Sequence, residues 1–142
     1  MSGYLLDANL LIALAWPEHA AHERASRWFA RHARGGWATC PMTQAALVRV
    51  LSNPAFSERA LTPSGALQVL SRNVAVPEHK FWSDSISVPE AMERMPTALT
   101  GHQQVTDAYL VALAVHNKGK LATFDRGIQQ WAPAGSVELI GA

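Results

Sequence analysis

Apolar residues open the chain as Tyr4-Leu5-Leu6, break at Asp7, and resume as Leu10-Leu11-Ile12. The first run reads as a buried strand over 3–6 and the second as an apolar helix over 8–15, stopped by Pro17. From His19 to Arg34, the positions Ala21, Ala25, Trp28, Phe29 and His32 recur at helical spacing, and Gly35-Gly36 ends that helix. Trp37 to Cys40 reads as a second strand. Thr43 is the expected N-cap of a helix running to Ser52, with Asn53-Pro54 as its stop, and Thr62-Pro63 opens another helix to about Arg72. Pro77, Pro89 and Pro96 divide 74–100 into short pieces. There Phe81-Trp82 and Ile86-Ser87-Val88 are the candidates for a third strand, and Pro89 to Arg94 for a short helix. After Gly101, Val105, Tyr109, Ala112, Leu113 and His116 line one face of a helix terminated by Gly119. Lys120 to Phe124 is then a strand, Ile128 to Trp131 a helical turn, and Val137 to Ile140 a last strand.

Strands alternating with helices predict an α/β fold with a mainly parallel sheet. No repeat or linker divides the chain, so residues 1–142 read as a single domain. Apolar residues make up 49% and charged residues 16%, which excludes disorder by composition. A net charge of +1 decides nothing about nucleic acid, although Arg24, Arg27, Arg31 and Arg34 cluster in one segment. The lone Cys40 rules out an intrachain disulfide, no stretch approaches the ~20 apolar residues of a membrane span, and no basic segment precedes the first apolar run. Those features predict a cytoplasmic protein with no membrane partner.

Asp7 is the first candidate for chemistry, because a carboxylate among so many apolar residues is costly to desolvate unless something compensates it. Asp125 follows the strand Leu121-Ala122-Thr123-Phe124, and Asp107 lies near the start of the long helix. In parallel α/β sheets ligands bind beyond the carboxyl ends of the strands, where Asp7 and Asp125 would meet Asp107. Three carboxylates a few ångströms apart repel one another, and a divalent cation resolves that conflict. Oxygen-only ligands suit Mg²⁺, for which Mn²⁺ can substitute. Singly, each aspartate has an ordinary reading as a helix cap or turn residue; the joint placement is what points to a site.

These segments resemble the PIN-domain nucleases, in particular the toxins of VapBC-type toxin–antitoxin systems. The resemblance rests on Leu6-Asp7-Ala8-Asn9-Leu10-Leu11-Ile12, Thr43-Gln44 with Arg49-Val50-Leu51-Ser52-Asn53-Pro54, Gly101-His102, Gln104 to Leu110, and Leu121 to Asp125. It implies a PIN-like three-layer α/β domain with helices flanking a central, mainly parallel sheet. It also implies a Mg²⁺-dependent ribonuclease that hydrolyses RNA phosphodiester bonds as a toxin. Asp7, Asp107 and Asp125 carry over as catalytic residues, with Asp7 and Asp107 foremost as metal ligands. Asn9, Thr123 and His102 carry over as supporting polar groups, and Gln44 is a further supporting candidate. Either Arg49, the substrate-binding candidate, or the Arg24, Arg27 and Arg31 face is expected to grip the RNA backbone or an acidic antitoxin tail. The implied partners are RNA, a cognate antitoxin and a second copy of the chain.

The pattern departs from the family at one point. Most members carry a glutamate in the helix that here spans about Met42 to Ser52, and this helix has no acid; Gln44 or Ala46 takes the place. The rival reading is therefore a catalytically weakened PIN-like module that binds RNA or protein without cutting. Other enzyme classes fit less well. A haloacid-dehalogenase-like phosphatase needs a second Asp where Asn9 stands, a receiver domain needs an acidic pair after strand one, and a dinucleotide site needs Gly-x-Gly-x-x-Gly. His19 and His22 lack a third ligand for zinc, Trp82 reads as a core residue, and His116 as a core or edge residue.

Overall fold

The structure is a computed structural model that describes residues 3–96 and 99–141. Strands β1 (Tyr4–Leu6), β2 (Trp37–Thr39), β3 (His79–Phe81), β4 (Lys120–Thr123) and β5 (Val137–Leu139) form one sheet in the order β3-β2-β1-β4-β5. All four pairings are parallel, so the sheet is wholly rather than mainly parallel. In register, Leu5 lies between Ala38 on one side and Leu121 on the other.

Alternation along each strand sends neighbouring side chains to opposite faces. Leu6, Trp37 and Ala122 enter one core, covered by α1 (Ala8–Ala15), α2 (His22–His32), α3 (Pro41–Leu51) and α4 (Pro63–Asn73). Leu5, Ala38 and Leu121 enter the other, covered by α5 (Val88–Glu93), α6 (Val105–His116) and α7 (Arg126–Trp131). These are the three layers expected. Among the described residues no helix is long and apolar enough to cross a membrane.

Several elements differ from expectation for local reasons. The third strand is His79–Phe81, which overlaps the Phe81-Trp82 candidate at Phe81 and excludes Ile86 to Val88. Ile86 is buried as a core side chain, while Ser87 caps α5: its hydroxyl accepts from Glu90 N at 3.2 Å, and the Glu90 carboxylate accepts from Ser87 N at 3.2 Å. Cys40, not Thr43, is the N-cap of α3, with Pro41 at the first helical position; Thr43 sits in the first turn, its hydroxyl accepting from Cys40 N at 3.1 Å. Helix α2 starts only at His22, because His19 Nδ1 accepts from Ala21 N at 3.0 Å and closes a turn before it.

Helix α6 is buried all round from Ala108 to Ala114 rather than along one face, and His116 at its end is exposed. Its left-handed terminating residue is Lys118, at φ 61°, not Gly119. Gly119 is required for a different reason: a Cβ there would collide with the Gly3 carbonyl oxygen and come within 2.9 Å of the partly buried Trp82.

Candidate active site

β1 and β4 are adjacent and parallel, so their carboxyl ends deliver Asp7 and Thr123 side by side. Asp7 is the N-cap of α1, its Oδ1 accepting from Ala8 N at 2.8 Å. Thr123 donates its hydroxyl proton to Asp7 Oδ2 at 2.7 Å and accepts from Asn9 Nδ2 at 3.3 Å and Asp125 N at 3.1 Å. One fully buried hydroxyl thus joins three of the predicted site residues. Asp125 caps α7, its Oδ1 accepting from Gly127 N at 2.8 Å. Asp107 is the third residue of α6, in the first turn.

The electrostatics follow from burial. Asp7 is only 7% exposed, and desolvation pushes its carboxyl above the usual range. The hydrogen bonds from Thr123 and Ala8 pull it back, and the charge of Asp125 raises it again. Asp107 is half-buried; desolvation first, then the charges of Asp7 and Asp125, push its pKa up to about 6. The three aspartates therefore act on one another, and no lysine or arginine among the described residues pairs with them. They do not form a closed cage. Among the described residues no three acidic, histidine or cysteine side chains converge on one ion position, so the carboxylates form an open edge.

That edge still fits a hard divalent cation. Its donors are oxygens, its negative charge is uncompensated, and the buried Asn9 Oδ1 has no hydrogen-bond partner. Asp7 and Asp107 are the ligands such an ion would use, with water and substrate oxygens filling an incomplete set.

The other predicted residues lie elsewhere. Gln44, in the first turn of α3, donates from Nε2 to Thr39 Oγ1 at 2.9 Å. Thr39 in turn meets His79 Nε2 at 2.7 Å. This polar chain joins β2, β3 and α3 inside an otherwise apolar layer, and sequence reading missed it because the β2–β3 pairing brings together residues 40 positions apart. Ala46 is half-buried on α3 and supplies no polar atom. Arg49 is exposed eight residues beyond Pro41, about 12 Å back from the carboxyl edge by helical rise, so the structure does not bring it to the carboxylates. His102 is exposed in a 3-10 turn, His102–Gln104, before α6, and no hydrogen bond ties it to the aspartates among the described residues. His22 Nδ1 is engaged with the Ala13 carbonyl at 2.7 Å. Asp84, after β3, was not singled out by its sequence context, yet its charge reaches the Cys40 thiol and the Tyr109 hydroxyl on the α6 face of the sheet.

Comparison with known proteins places this geometry. Residues 4–132 match the family described as PIN domain. Ribonuclease VapC39 of Mycobacterium tuberculosis is 40% identical over 136 residues, covering 96% of this chain and 98% of that protein. Ribonuclease VapC38 of the same organism is 42% identical over 139 residues, covering 96% of each. Among solved structures, M. tuberculosis VapC20, described as a sarcin-ricin loop cleaving toxin, superposes with a TM-score of 0.67 at 15% identity, over 97% of this chain and 99% of that one. VapBC2 from Rickettsia felis bound to a promoter DNA fragment gives 0.63 at 12% identity, over 96% of this chain and 98% of that one. With its match to the family running from β1 through α7, and VapC ribonucleases aligned along nearly its whole length, the chain belongs to the PIN-domain family.

Proposed function

We propose that this protein is the toxin of a VapBC-type toxin–antitoxin system, a divalent-metal-dependent endoribonuclease acting in the cytoplasm on RNA. The observation that carries the reading is the buried Asp7 carboxylate, anchored by Thr123 and set against Asp107 and Asp125, with no lysine or arginine among the described residues in salt-bridge contact with them. The VapC ribonucleases, similar over nearly the full length, support it.

In this reading Asp7 and Asp107 hold Mg²⁺, or Mn²⁺ in its place, and Asp125 adds charge from the tip of β4. A bound divalent ion supplies activation of water near neutral pH and neutralises charge growing on the phosphodiester. The chain's own groups do the positioning. Thr123 fixes the rotamer of Asp7 by donating to Oδ2. Asn9 is held beside Asp7 by its Nδ2, which donates to Thr123. Gln44 uses its Nε2 on Thr39, which leaves its Oε1 as a neutral acceptor. With a pKa of about 6, Asp107 is mostly ionised at pH 7 and loses its charge as the pH falls through 6, so metal binding and cleavage weaken there.

A short antitoxin protein as the neutralising partner and a homodimer as the assembly follow from the same kinship. The test is cleavage of a labelled single-stranded RNA in Mg²⁺ or Mn²⁺, with growth arrest on expression as a second readout. Wild type should cut and arrest growth, and Asp7→Asn should lose at least ~100-fold in rate. Undiminished RNA binding without cleavage in either metal would replace the nuclease with the binding module that the missing glutamate allows.

A further inference from the structure

Arg24 differs from the other lysines and arginines of the chain. All of the others are exposed, whereas Arg24 is half-buried. Its Nε lies sealed from solvent with no hydrogen-bond partner. The neighbouring acid, Glu23, is engaged by Arg27 at 3.1 Å, and no carboxylate pairs with Arg24 among the described residues. The guanidinium carbon instead sits 4.5 Å from the centre of the Phe124 ring. Phe124 is the residue between Thr123, which anchors Asp7, and Asp125.

Helix α2 explains how the charge arrives there. Its later turns pack Trp28 against Tyr4, with ring centroids 5.1 Å apart, at the amino end of β1. One turn earlier, Arg24 therefore lies toward the carboxyl end of the sheet, beside the tip of β4. Stacking on an aromatic ring fixes the plane of a guanidinium. With Nε enclosed, the two Nη groups are what remains to face a ligand, as a fork suited to paired anionic oxygens.

We propose that Arg24, held by Phe124, is a phosphate-binding residue that grips a non-scissile phosphodiester of the RNA strand next to the cleavage position. The proposal rests on the ribonuclease reading for the identity of its ligand. RNA is favoured over an acidic protein because a polynucleotide crossing the edge at Asp7 presents a further phosphate at every nucleotide. A cation fixed on Phe124, the residue before Asp125, stands beside that path. Arg24 touches the strand and not the reacting atoms, so its effect falls on binding.

The experiment is fluorescence anisotropy of a labelled, mixed-sequence single-stranded RNA, with every variant carried in the Asp7→Asn background so that cleavage is not needed for the readout. Arg24→Met should weaken RNA binding about tenfold at low salt and make log Kd less steep in log salt by about 0.7, the share of one single-strand phosphate. Arg24→Lys should recover part of the affinity, and Phe124→Leu should lose part of it with the charge intact. Lys120→Ala removes the same charge at the opposite end of the sheet and should change nothing. In the cleaving enzyme, Arg24→Met should raise KM while kcat stays within about twofold.

Equal RNA affinity for Arg24→Met and its parent, at unchanged thermal midpoint, overturns the proposal. So does a loss of affinity matched by Lys120→Ala, which would report bulk charge only. Binding of an acidic peptide that falls while RNA affinity holds overturns it in favour of a protein partner. A wild type that cuts nothing but whose RNA binding depends on Arg24 defeats the nuclease reading and leaves this one standing.

Discussion

At the carboxyl end of the sheet, polar groups are left without full compensation: Asp7 is buried, Asp107 is raised to about 6, Asn9 Oδ1 has no partner, and Arg24 lacks an acid. On β5, in the register row of Ala122, the comparable group is matched. Glu138 accepts from Trp28 Nε1 at 3.2 Å and stands 3.8 Å from His32 Nε2, whose ring stacks on Trp28. What the amino end carries instead is backbone demand. Gly36, Lys118 and Gly135, at φ 120°, 61° and 78°, all occupy helix-to-strand returns and surround a cavity of about 310 Å³. A cavity formed by returning turns is a consequence of topology, while uncompensated charge in the protein interior needs a ligand to account for it. That concavity is thus a poorer guide to function here than the open edge.

The contrast can be broken by substitution, beginning with the effects expected to be largest. Asp7→Asn should abolish cleavage and, because an asparagine also caps a helix and carries no buried charge, should leave the thermal midpoint equal or higher. Thr123→Val removes the hydroxyl that fixes Asp7; a loss of about 10–100-fold in metal affinity or rate is expected, read by metal titration of the cleavage assay. The same change leaves Asn9 Nδ2 and Asp125 N without their acceptor and should cost about 1–3 kcal/mol in denaturant unfolding.

At the amino end, Gly119→Ala must push the chain away from Gly3 and Trp82, and about 1–3 kcal/mol of stability should be lost while kcat per folded molecule is kept. Loss of kcat there would erase the division between the two ends. The smallest effect concerns pH. The folded pKa of Asp107, about 6, lies above the ordinary value near 4, so the folded chain holds the proton more tightly and stability falls as pH rises through that window. Asp107→Asn should therefore be more stable than wild type at pH 7 by about 1 kcal/mol, allowing for its partial solvation, with the gap closing below about pH 4. A gap that widens in acid would reverse the electrostatic account.

Legibility in the sequence tracked the range of the interactions involved. Tyr4-Leu5-Leu6, Leu121 to Thr123 and the apolar periodicity of α6 announce buried elements directly, and strand–helix alternation then places Asp7 and Asp125 on one edge. Third-strand placement failed at Ile86 to Val88, where burial of Ile86 in a loop imitates a strand and the Ser87–Glu90 capping box belongs to a helix. Cys40 was overlooked as an N-cap because its neighbour Pro41, not its own side chain, sets the start of α3. Thr39, His79 and Gln44 form one hydrogen-bonded chain only because β2 and β3 pair, which no local pattern encodes. Arg24 was visible only as one of four clustered arginines. Its distinction depends on Phe124, 100 positions away.

The bond between Thr123 and Asp7 spans 116 positions, and β1 has β4 as a direct neighbour in the sheet. During synthesis the first strand can pair with β2 early but waits for nearly the whole chain before its pairing with β4 can close, and so sequence-distant a contact slows folding. A ribosome-bound fragment that stops short of β4 holds Asp7 without its anchor and without Asp125. Whatever this protein does to RNA, it cannot begin on the ribosome that is making it until the carboxyl end of β4 has emerged.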